Sequence, residues 1–265
     1  WCFLLYIMII TSWNVNSVRA RIENIKDYLQ KSSPDLVMMQ EIKTQDETFP
    51  YDDFSSLDYE SHVFGQKSYN GVAIISKHKL KNIRIDLIKD KLKQSRIISA
   101  ELKHKKKDIQ LINIYTPNGN PVDTEKYSYK KEWLDSLIKQ LKTLSKKNQN
   151  IILAGDFNII PSAEDAYNIK GFEDDALYRL EIRKKFREII NLGFHDAYRH
   201  IHGEKEGYTY WDYMRGAWQK NNGLRIDHFL VSNSLLNMIK DVKINKDPRG
   251  KEKPSDHTPI EIELA

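Results

Sequence analysis

The sequence predicts an α/β (α+β) protein in which two packed, mixed β-sheets are flanked by helices. Short apolar runs bounded by turn residues recur along the 265 residues, and several follow one another with only a turn between, as at 59–77 and 96–115. Such consecutive strands pair antiparallel, because a parallel crossover needs about a dozen or more residues. About a dozen predicted strands would overfill one sheet, so two stacked sheets are expected.

The first strand is predicted to begin at Met8. Residues 1–7 are interpreted as an N-terminal extension or an artefact, and a longer first strand is the alternative. A helix is expected next, because apolar residues recur at helical spacing between Ser17, a candidate N-cap, and Pro34. Strands are then predicted in apolar runs at 35–42, 59–65, 71–77, 96–102 and 109–115.

The second half of the chain opens on a Lys-rich amphipathic helix, predicted over 125–147, that leads into a buried strand at 150–158. A second helix is predicted at 176–192. Strands are expected at 208–213, 225–232, 240–247 and 256–264. Because no repeat, low-complexity linker or break in composition interrupts the pattern, residues 8–265 are predicted to form a single domain.

Composition narrows the class of protein. Apolar residues make up 40% of the chain and charged residues 30%, which is typical of a globular protein. The single cysteine, Cys2, cannot form an internal disulfide, so a cytosolic location is the default expectation. The net charge of +5 permits a nucleic-acid partner without indicating one. The sequence has no P-loop, GxSxG or CxxC motif and no GxGxxG after a strand, which argues against Walker-type hydrolysis and hydride transfer.

Polar side chains stand at the ends of several predicted strands. They are Asn14, Glu41, Asp156 with Asn158, Asp227, and Asp256 with His257. A carboxylate there loses hydration unless a cation or a hydrogen-bond donor meets it, so the repeated pattern predicts one shared site. Oxygen ligands without cysteine favour Mg²⁺, or Mn²⁺ as a substitute, over zinc. The histidine pair His200 and His202 lacks a third ligand and is interpreted as a solvated loop pair.

Two pairs of these residues suit acid–base chemistry. Asp156 and Asn158 lie two positions apart on one side of an extended strand, where they can hold and deprotonate one water; an Asx turn is the alternative. Extended backbone sends Asp256 and His257 to opposite faces. Asp227 is therefore the candidate partner for the His257 imidazole, which leaves Asp256 free to face a metal. A structural histidine is the alternative at His257.

These segments resemble the exonuclease III family of abasic-site DNA endonucleases, within the endonuclease/exonuclease/phosphatase superfamily, in order from Ile9 to Leu264. The motifs are WNVNSVRAR (13–21), PDLVMMQEIK (34–43), YNGVAIISK (69–77), NIYTPNG (113–119), GDFN (155–158), GLRIDHFLVS (223–232) and PSDHTP (254–259). The resemblance implies a four-layer α/β sandwich and Mg²⁺-dependent hydrolysis of the phosphodiester 5′ to an abasic site, leaving a 3′-hydroxyl. It also implies 3′–5′ exonuclease and 3′-phosphodiesterase activity on duplex DNA.

The resemblance further implies a role for each motif residue. Its metal shell has Glu41 as the principal ligand, with Asn14, Asp256, Asp156 and Asn158 around the ion. Its catalytic set has Asp156 to activate water, Asn158 to orient it, Tyr115, Asn118 and His257 to contact the scissile phosphate, and Asp227 behind His257.

The same resemblance implies an apolar pocket for a base-free sugar and a set of DNA contacts. The pocket residues are Tyr210, Trp211, Leu224 and Ile226, for which plain core packing is the alternative. The DNA-binding residues are Arg96, Lys43, Tyr69 and Asn70, with Trp218 as a candidate wedge. The expected partner is duplex DNA with abasic sites or 3′ ends, bound by a monomeric, cytoplasmic, nucleoid-associated enzyme without membrane contact.

Three other functions remain open from the sequence. A superfamily phosphatase or lipase acting on phosphoinositides or sphingomyelin would share Glu41, Asp156, Asn158 and His257. A paralogue restricted to 3′ ends would differ only in a pocket that excludes internal abasic sites. A catalytically silent nucleic-acid-binding relative is disfavoured, because every expected catalytic position is filled.

Overall fold

The computed structural model describes residues 6–265, in which strands and helices are interspersed. The strands are β1 (Met8–Asn14), β2 (Leu36–Gln40), β3 (Glu60–Phe64), β4 (Val72–Ser76), β5 (Leu80–Arg84), β6 (Ile97–His104), β7 (Lys107–Tyr115), β8 (Ile151–Asp156), β9 (Phe194–Asp196), β10 (Asp227–Ser232), β11 (Ile239–Ile244) and β12 (Ile260–Leu264). The α-helices are α1 (Ile22–Ser32), α2 (Tyr51–Ser55), α3 (Glu125–Lys147), α4 (Leu180–Asn191) and α5 (Ala197–His202).

The strands form two six-stranded sheets, each with a parallel pair at its centre. The first sheet has the order β11-β12-β1-β2-β4-β3 and the second the order β5-β6-β7-β8-β10-β9. β1 runs parallel to β2, and β7 runs parallel to β8. The other pairings among the described strands are antiparallel. Parallel neighbours require a crossover, which α1 supplies in one sheet and α3 in the other.

Helices and sheets stack in four layers. The facing sides of the two sheets bury one apolar core, to which β1 contributes Ile10 and β8 contributes Ile152. α1 and α2 pack on the outer face of the first sheet, and α3 and α4 pack on that of the second. Trp133, Leu137 and Leu141 recur on one side of α3 and are buried, so this side of the helix faces the sheet. The predicted fold class, two mixed sheets flanked by helices in a four-layer sandwich, is confirmed.

Some predicted elements are wrong at their ends or altogether. α1 begins at Ile22 with Arg21 at its N-cap, so Ser17 is not the cap and lies instead in the preceding turn. Residues 208–213 do not form a strand, because only Tyr210 finds β partners, at Leu224 and His257. α4 begins at Leu180 rather than at residue 176. The ends of these elements depend on tertiary contacts, about which the local sequence pattern carries no information.

The prediction for residues 1–7 falls mostly outside the described chain, which begins at Tyr6. Tyr6 and Ile7 precede β1 and are exposed. Within residues 6–265, no helix is both long enough and apolar enough to span a bilayer.

A buried amide joins the two sheets at their centre. Asn113 on β7 lies in the core and donates from Nδ2 to the backbone oxygens of Met39 and Ala73, each at 2.9 Å. Its Oδ1 accepts from Gln40 Nε2 at 2.7 Å. Because both strands of the first sheet that Asn113 reaches are buried, these hydrogen bonds fix how the sheets register against each other.

We expect Asn113→Leu to lower the free energy of unfolding by about 3 kcal/mol, because three buried polar groups each lose a hydrogen bond while the side-chain volume changes little. Urea denaturation measures the change. Asn191→Leu, at the exposed last residue of α4, is the control and should alter stability by less than about 0.5 kcal/mol. Equal stability of the two variants would contradict this role of Asn113.

Candidate active site

The candidate site lies where the carboxyl ends of the two central parallel pairs meet. β1 ends at Asn14, β7 ends at Tyr115 and β8 ends at Asp156, while Glu41 directly follows β2. The antiparallel neighbours contribute from their beginnings: β10 starts at Asp227, and Asp256 and His257 lead into β12. Asp227 is the cross-strand partner of Asp156, so these two carboxyl groups face the same edge.

An asparagine amide joins the carboxylates of the two sheets. Asn14 Nδ2 donates to Glu41 Oε1 at 2.9 Å and to Asp156 Oδ2 at 3.0 Å. Lys43 Nζ lies 2.8 Å from Glu41 Oε2. Burial acts to raise the pKa of Glu41, but Lys43 and the hydrogen bond from Asn14 hold this pKa below its ordinary value. Glu41 is therefore ionised and available to a cation.

The donor set of this edge fits a hard divalent cation. Glu41 and Asp156 present carboxylate oxygens, and Asp256 adds another that accepts from Asn16 Nδ2 at 3.0 Å. One polar atom each of Asp227 and His257 lies within 4.8 Å of an Asp156 oxygen, but the hydrogen bond between Asp227 and His257 Nδ1 engages these two side chains with each other. Asn14 donates its amide nitrogen to both carboxylates, and its Oδ1 accepts from Asn16 N at 3.1 Å. Oxygen-dominated sets of this kind suit Mg²⁺.

His257 is held by Asp227 beneath the site. Its Nδ1 lies 2.8 Å from Asp227 Oδ2, which also accepts from Thr209 Oγ1 at 2.6 Å. Burial acts to lower the pKa of His257, but the charges of Asp227 and Asp156 outweigh it and hold this pKa above its ordinary value. The imidazolium is therefore favoured, and its Nε2 faces Asp156 Oδ2 at 3.7 Å.

Hydrogen bonds link Asp156 to two asparagine side chains at the edge of the second sheet. Its Oδ1 accepts from the Asn158 backbone at 2.9 Å, and its Oδ2 accepts from Asn158 Nδ2 at 3.3 Å. Asn158 is fixed in turn by Thr116 O at 2.9 Å and by Asn118 Nδ2 at 3.2 Å. Burial raises the pKa of Asp156 above its usual range, and the charge of His257 counters part of that effect.

A cavity of about 810 Å³ opens beside these polar residues. Tyr210, Leu224 and Ile226 line one end of it, together with Phe172 and Leu177, which the sequence did not single out. Trp211 is fully buried and does not line this cavity, contrary to expectation. The cavity therefore has a polar end at the carboxylates and an apolar end.

Residues at the apolar end of the cavity contact residues at its carboxylate end. Trp211 N donates to Asp256 O at 2.9 Å, and the Tyr210 ring packs edge-on against His257 with the ring centroids 5.0 Å apart. Trp218 packs edge-on against Trp211 and under the Arg249 guanidinium. Trp218 is therefore engaged in the support of this loop, and the structure does not present it as an exposed wedge.

The predicted DNA-contacting residues fall into two groups. Tyr69 is 69% exposed beside the buried Asn70, and Lys43 reaches the rim of the site next to Glu41. Arg96 is only 8% exposed: its guanidinium lies over the Tyr115 ring at 4.7 Å, and its Nη1 donates to Tyr115 O at 3.1 Å. The structure therefore places Arg96 behind Tyr115 rather than on an open surface.

Sequence reasoning missed three residues at the mouth of the cavity. Met214 is 68% exposed, and Met214, Arg215 and Lys220 all line the opening. They lie in the irregular segment between Trp211 and Gly223, where no periodicity marks which side chains face the site. A large exposed apolar side chain between basic ones is the signal, and it is visible only in three dimensions.

Comparison with known proteins agrees with this geometry. The model of the "Endonuclease/Exonuclease/phosphatase family" matches residues 11–257. Exodeoxyribonuclease III of Haemophilus influenzae is 34% identical, over 96% of this chain and 98% of its own. An AP endonuclease from Archaeoglobus fulgidus superposes with a TM-score of 0.92 at 32% identity, covering 97% of this chain and 99% of its own. The 3′ phosphatase NExo from Neisseria, solved with product DNA hairpin, superposes with a TM-score of 0.91 at 32% identity, over 97% and 99% of the two chains.

The match spans nearly the whole chain, and the relatives are nucleases that share the fold. The chain therefore belongs to the endonuclease/exonuclease/phosphatase family, in its exonuclease III and AP endonuclease group of DNA repair nucleases.

Proposed function

We propose that this nuclease hydrolyses, with Mg²⁺, the phosphodiester 5′ to an abasic site in duplex DNA and leaves a 3′-hydroxyl. The observation that carries the proposal is the cavity, whose carboxylate end directly adjoins an apolar end at Tyr210, Leu224 and Ile226. A base-free sugar turned out of the helix is small and apolar enough for that end, while its 5′ phosphate would lie at the carboxylates.

Asp156 and Asn158 are the residues that would act on the attacking water. The Asp156 carboxylate accepts a proton from the water as the water oxygen forms the new bond to phosphorus. The bond from phosphorus to the 3′ oxygen breaks, and the departing 3′ oxygen takes a proton from solvent to become the 3′-hydroxyl. Asn158, held by Thr116 and Asn118, keeps its amide fixed beside that carboxylate. A raised pKa brings Asp156 closer to the working pH, which suits a general base.

His257, Tyr115 and Asn118 would contact the phosphate from the walls of the cavity. The His257 imidazolium, kept charged by Asp227, has its Nε2 on the side of Asp156, where the phosphate would lie. Donors fixed before the substrate binds stabilise charge that develops on the phosphoryl oxygens, at no cost of reorganisation during the reaction. Arg96 contacts the ring and the backbone oxygen of Tyr115, and so would act on the phosphate only through Tyr115.

Glu41, Asp256 and Asp156 would hold the metal ion through carboxylate oxygens, with Asn14 and Asn158 orienting those carboxylates through their amide nitrogens. When bound, Mg²⁺ supplies positive charge that polarises the phosphate and offsets the charge of these carboxylates. All of these residues belong to one chain, which supports action as a monomer with residues 8–265 as one domain.

The exposed residues around the cavity would bind the DNA backbone and groove. Arg215 and Lys220 line the cavity, Lys43 lies beside Glu41, and Tyr69 is exposed next to the buried Asn70. Cations at the rim attract phosphates without adding charge to the metal site itself.

Restriction to 3′ ends is the second candidate function. The chain is as similar to the 3′ phosphatase NExo as to the archaeal AP endonuclease, at 32% identity with each. Both substrates would place a phosphate at the same carboxylates, so the relative rates on internal abasic sites and 3′ ends decide between the two functions. Phosphate release from an inositol phosphate without nicking of abasic duplex would favour the phosphatase or lipase alternative.

We expect the protein to nick a duplex that carries a tetrahydrofuran abasic analogue in Mg²⁺. EDTA should abolish the reaction, and Asp156→Asn should slow it by about 1000-fold or more, because the water loses its base. Gel electrophoresis of a 5′-labelled strand measures the rate. Asp241→Asn, on the edge strand β11, is the matched control and should keep full activity.

The same gel separates the two candidate functions when a 3′-phosphate duplex and an intact blunt duplex are run beside the abasic substrate. Nicking of the tetrahydrofuran duplex supports the abasic-site function. Activity on 3′ ends alone would favour the second candidate function. Full activity of Asp156→Asn in EDTA would refute the proposed mechanism.

A second prediction concerns pH. Asp227 raises the pKa of His257, so Asp227→Asn should lower that pKa and let the imidazolium lose its proton at lower pH. Because the proposed mechanism uses the charged ring, the alkaline limb of the pH–rate profile should move to lower pH. Profiles of kcat with saturating DNA, and NMR titration of the His257 ring, measure the shift. Asp241→Asn serves again as the control, and an alkaline limb unmoved by Asp227→Asn would refute this role for Asp227.

A further inference from the structure

A fully buried lysine lies behind the candidate site without a carboxylate partner. Lys130 on α3 has no solvent exposure, and among the described residues it is the one buried lysine. Its Nζ donates to three backbone oxygens: Asn118 at 3.0 Å, Asn158 at 2.6 Å and Ala176 at 3.0 Å. None of these three acceptors is a carboxylate oxygen.

The three acceptors belong to three separate segments that border the cavity. Asn118 follows β7, Asn158 follows β8, and Ala176 immediately precedes the wall residue Leu177. The side chains of Asn118 and Asn158 are themselves hydrogen-bonded at 3.2 Å. One ammonium group therefore joins the backbone of both asparagines to one wall of the cavity.

A lysine at this position is costly, which argues against simple core packing. Burial lowers the pKa of Lys130 to about 7, although the charges of Asp156 and Asp175 oppose that effect. A methionine or leucine would fill the same space on the inner side of α3 without that penalty. Three carbonyl oxygens, however, match the three N–H donors of an ammonium group, which no apolar side chain supplies.

The loop after β7 is shaped to lie against the Lys130 side chain. Gly119 has φ +88°, and a Cβ placed on it would come 2.6 Å from Lys130 Cδ. Only glycine therefore allows this loop to approach the lysine so closely with this backbone conformation. This close approach is independent of the hydrogen bonds and points to the same fixed arrangement.

We propose that Lys130 is a positioning residue for the reaction: it tethers the loops of Asn118 and Asn158 to the cavity wall at Ala176, and thereby sets where the two asparagine amides meet the substrate. The inference rests on the proposed function of Asn118 and Asn158. Lys130 has no exposed atom through which it could touch DNA, so its effect passes entirely through the loops.

The test compares Lys130→Met with Lys131→Met, the same substitution at the next residue of α3. Lys131 is partly exposed and its Nζ lies 3.8 Å from Glu181 on α4, away from the cavity. Lys130→Met should lower kcat on the tetrahydrofuran duplex by about 100-fold, because displaced amides lose their alignment, while KM changes by less than about threefold. Lys131→Met should change both constants by less than about twofold. Rates are measured below the melting temperature of each variant, so that unfolded protein does not contribute.

NMR of the metal-free protein with labelled asparagine gives a readout that does not need activity. The side-chain amide signals of Asn118 and Asn158 should shift in Lys130→Met and stay in place in Lys131→Met. Gly119→Ala, which keeps the lysine but displaces the loop, should shift the Asn118 signal and lower kcat as well. It also keeps the inference testable if Lys130→Met does not fold.

The outcomes separate the inference from the function on which it rests. Unchanged amide signals and unchanged kcat in folded Lys130→Met, with only a lower melting temperature, would overturn the tether and leave the nuclease proposal intact. A wild-type protein that cleaves neither abasic nor 3′-phosphate duplex would overturn the proposed function, and the positioning role with it. The amide signals would then still decide whether Lys130 orders the two loops.

Discussion

The concentration of buried carboxyl groups at the joined edge of two sheets is the constraint on which the rest of this structure depends. Asp156 and Asp227 face each other across β8 and β10, and Glu41 is joined to Asp156 through the Asn14 amide. Removing such groups from water costs several kcal/mol each unless partners compensate. The compensation comes from amides, from the His257 imidazolium and, in the proposed reaction, from a divalent cation.

This constraint explains why both sheets have a parallel pair at the centre. The carboxyl ends of parallel strands meet at one edge, so a single packing of the two sheets collects the ends of β1, β2, β7 and β8 in one place. The Asn113 amide, which reaches from β7 to the backbone of β2 and β4, prevents one sheet from sliding over the other. Geometry at the site is thus a consequence of packing in the core.

The loops that follow the strands are held in place in a different way. Cationic side chains add to the turn hydrogen bonds that hold them: Arg249 packs on Trp218, Arg96 packs on Tyr115, and Lys130 donates to the backbone oxygen of Asn118. Tyr115 and Asn118 line the cavity, and Trp218 packs on Trp211 next to it. Two cations, Arg215 and Lys220, line the cavity, and the carboxylates at its polar end keep its centre acidic although the chain has a net charge of +5.

The sequence by itself determined the fold class and the chemical identity of the site. Apolar strands ending in Asn14, Glu41, Asp156 and Asp227 predict one focus, because a buried strand tolerates a carboxylate at its end only when something meets it there. Adjacent strands and helices follow from local periodicity in the same way. Segments without periodicity did not, and so the stretch 208–213 was wrongly predicted as a strand.

Only the tertiary structure decided which side chains reach the site and which support it. Trp211, Trp218 and Arg96 have the residue types expected of a pocket or a DNA contact, yet they pack behind other residues. Met214 was not anticipated, and Lys130 cannot be distinguished by sequence from the other lysines of α3. Burial and partner choice arise from contacts between segments far apart in the chain, and those contacts exist only after the two sheets have packed.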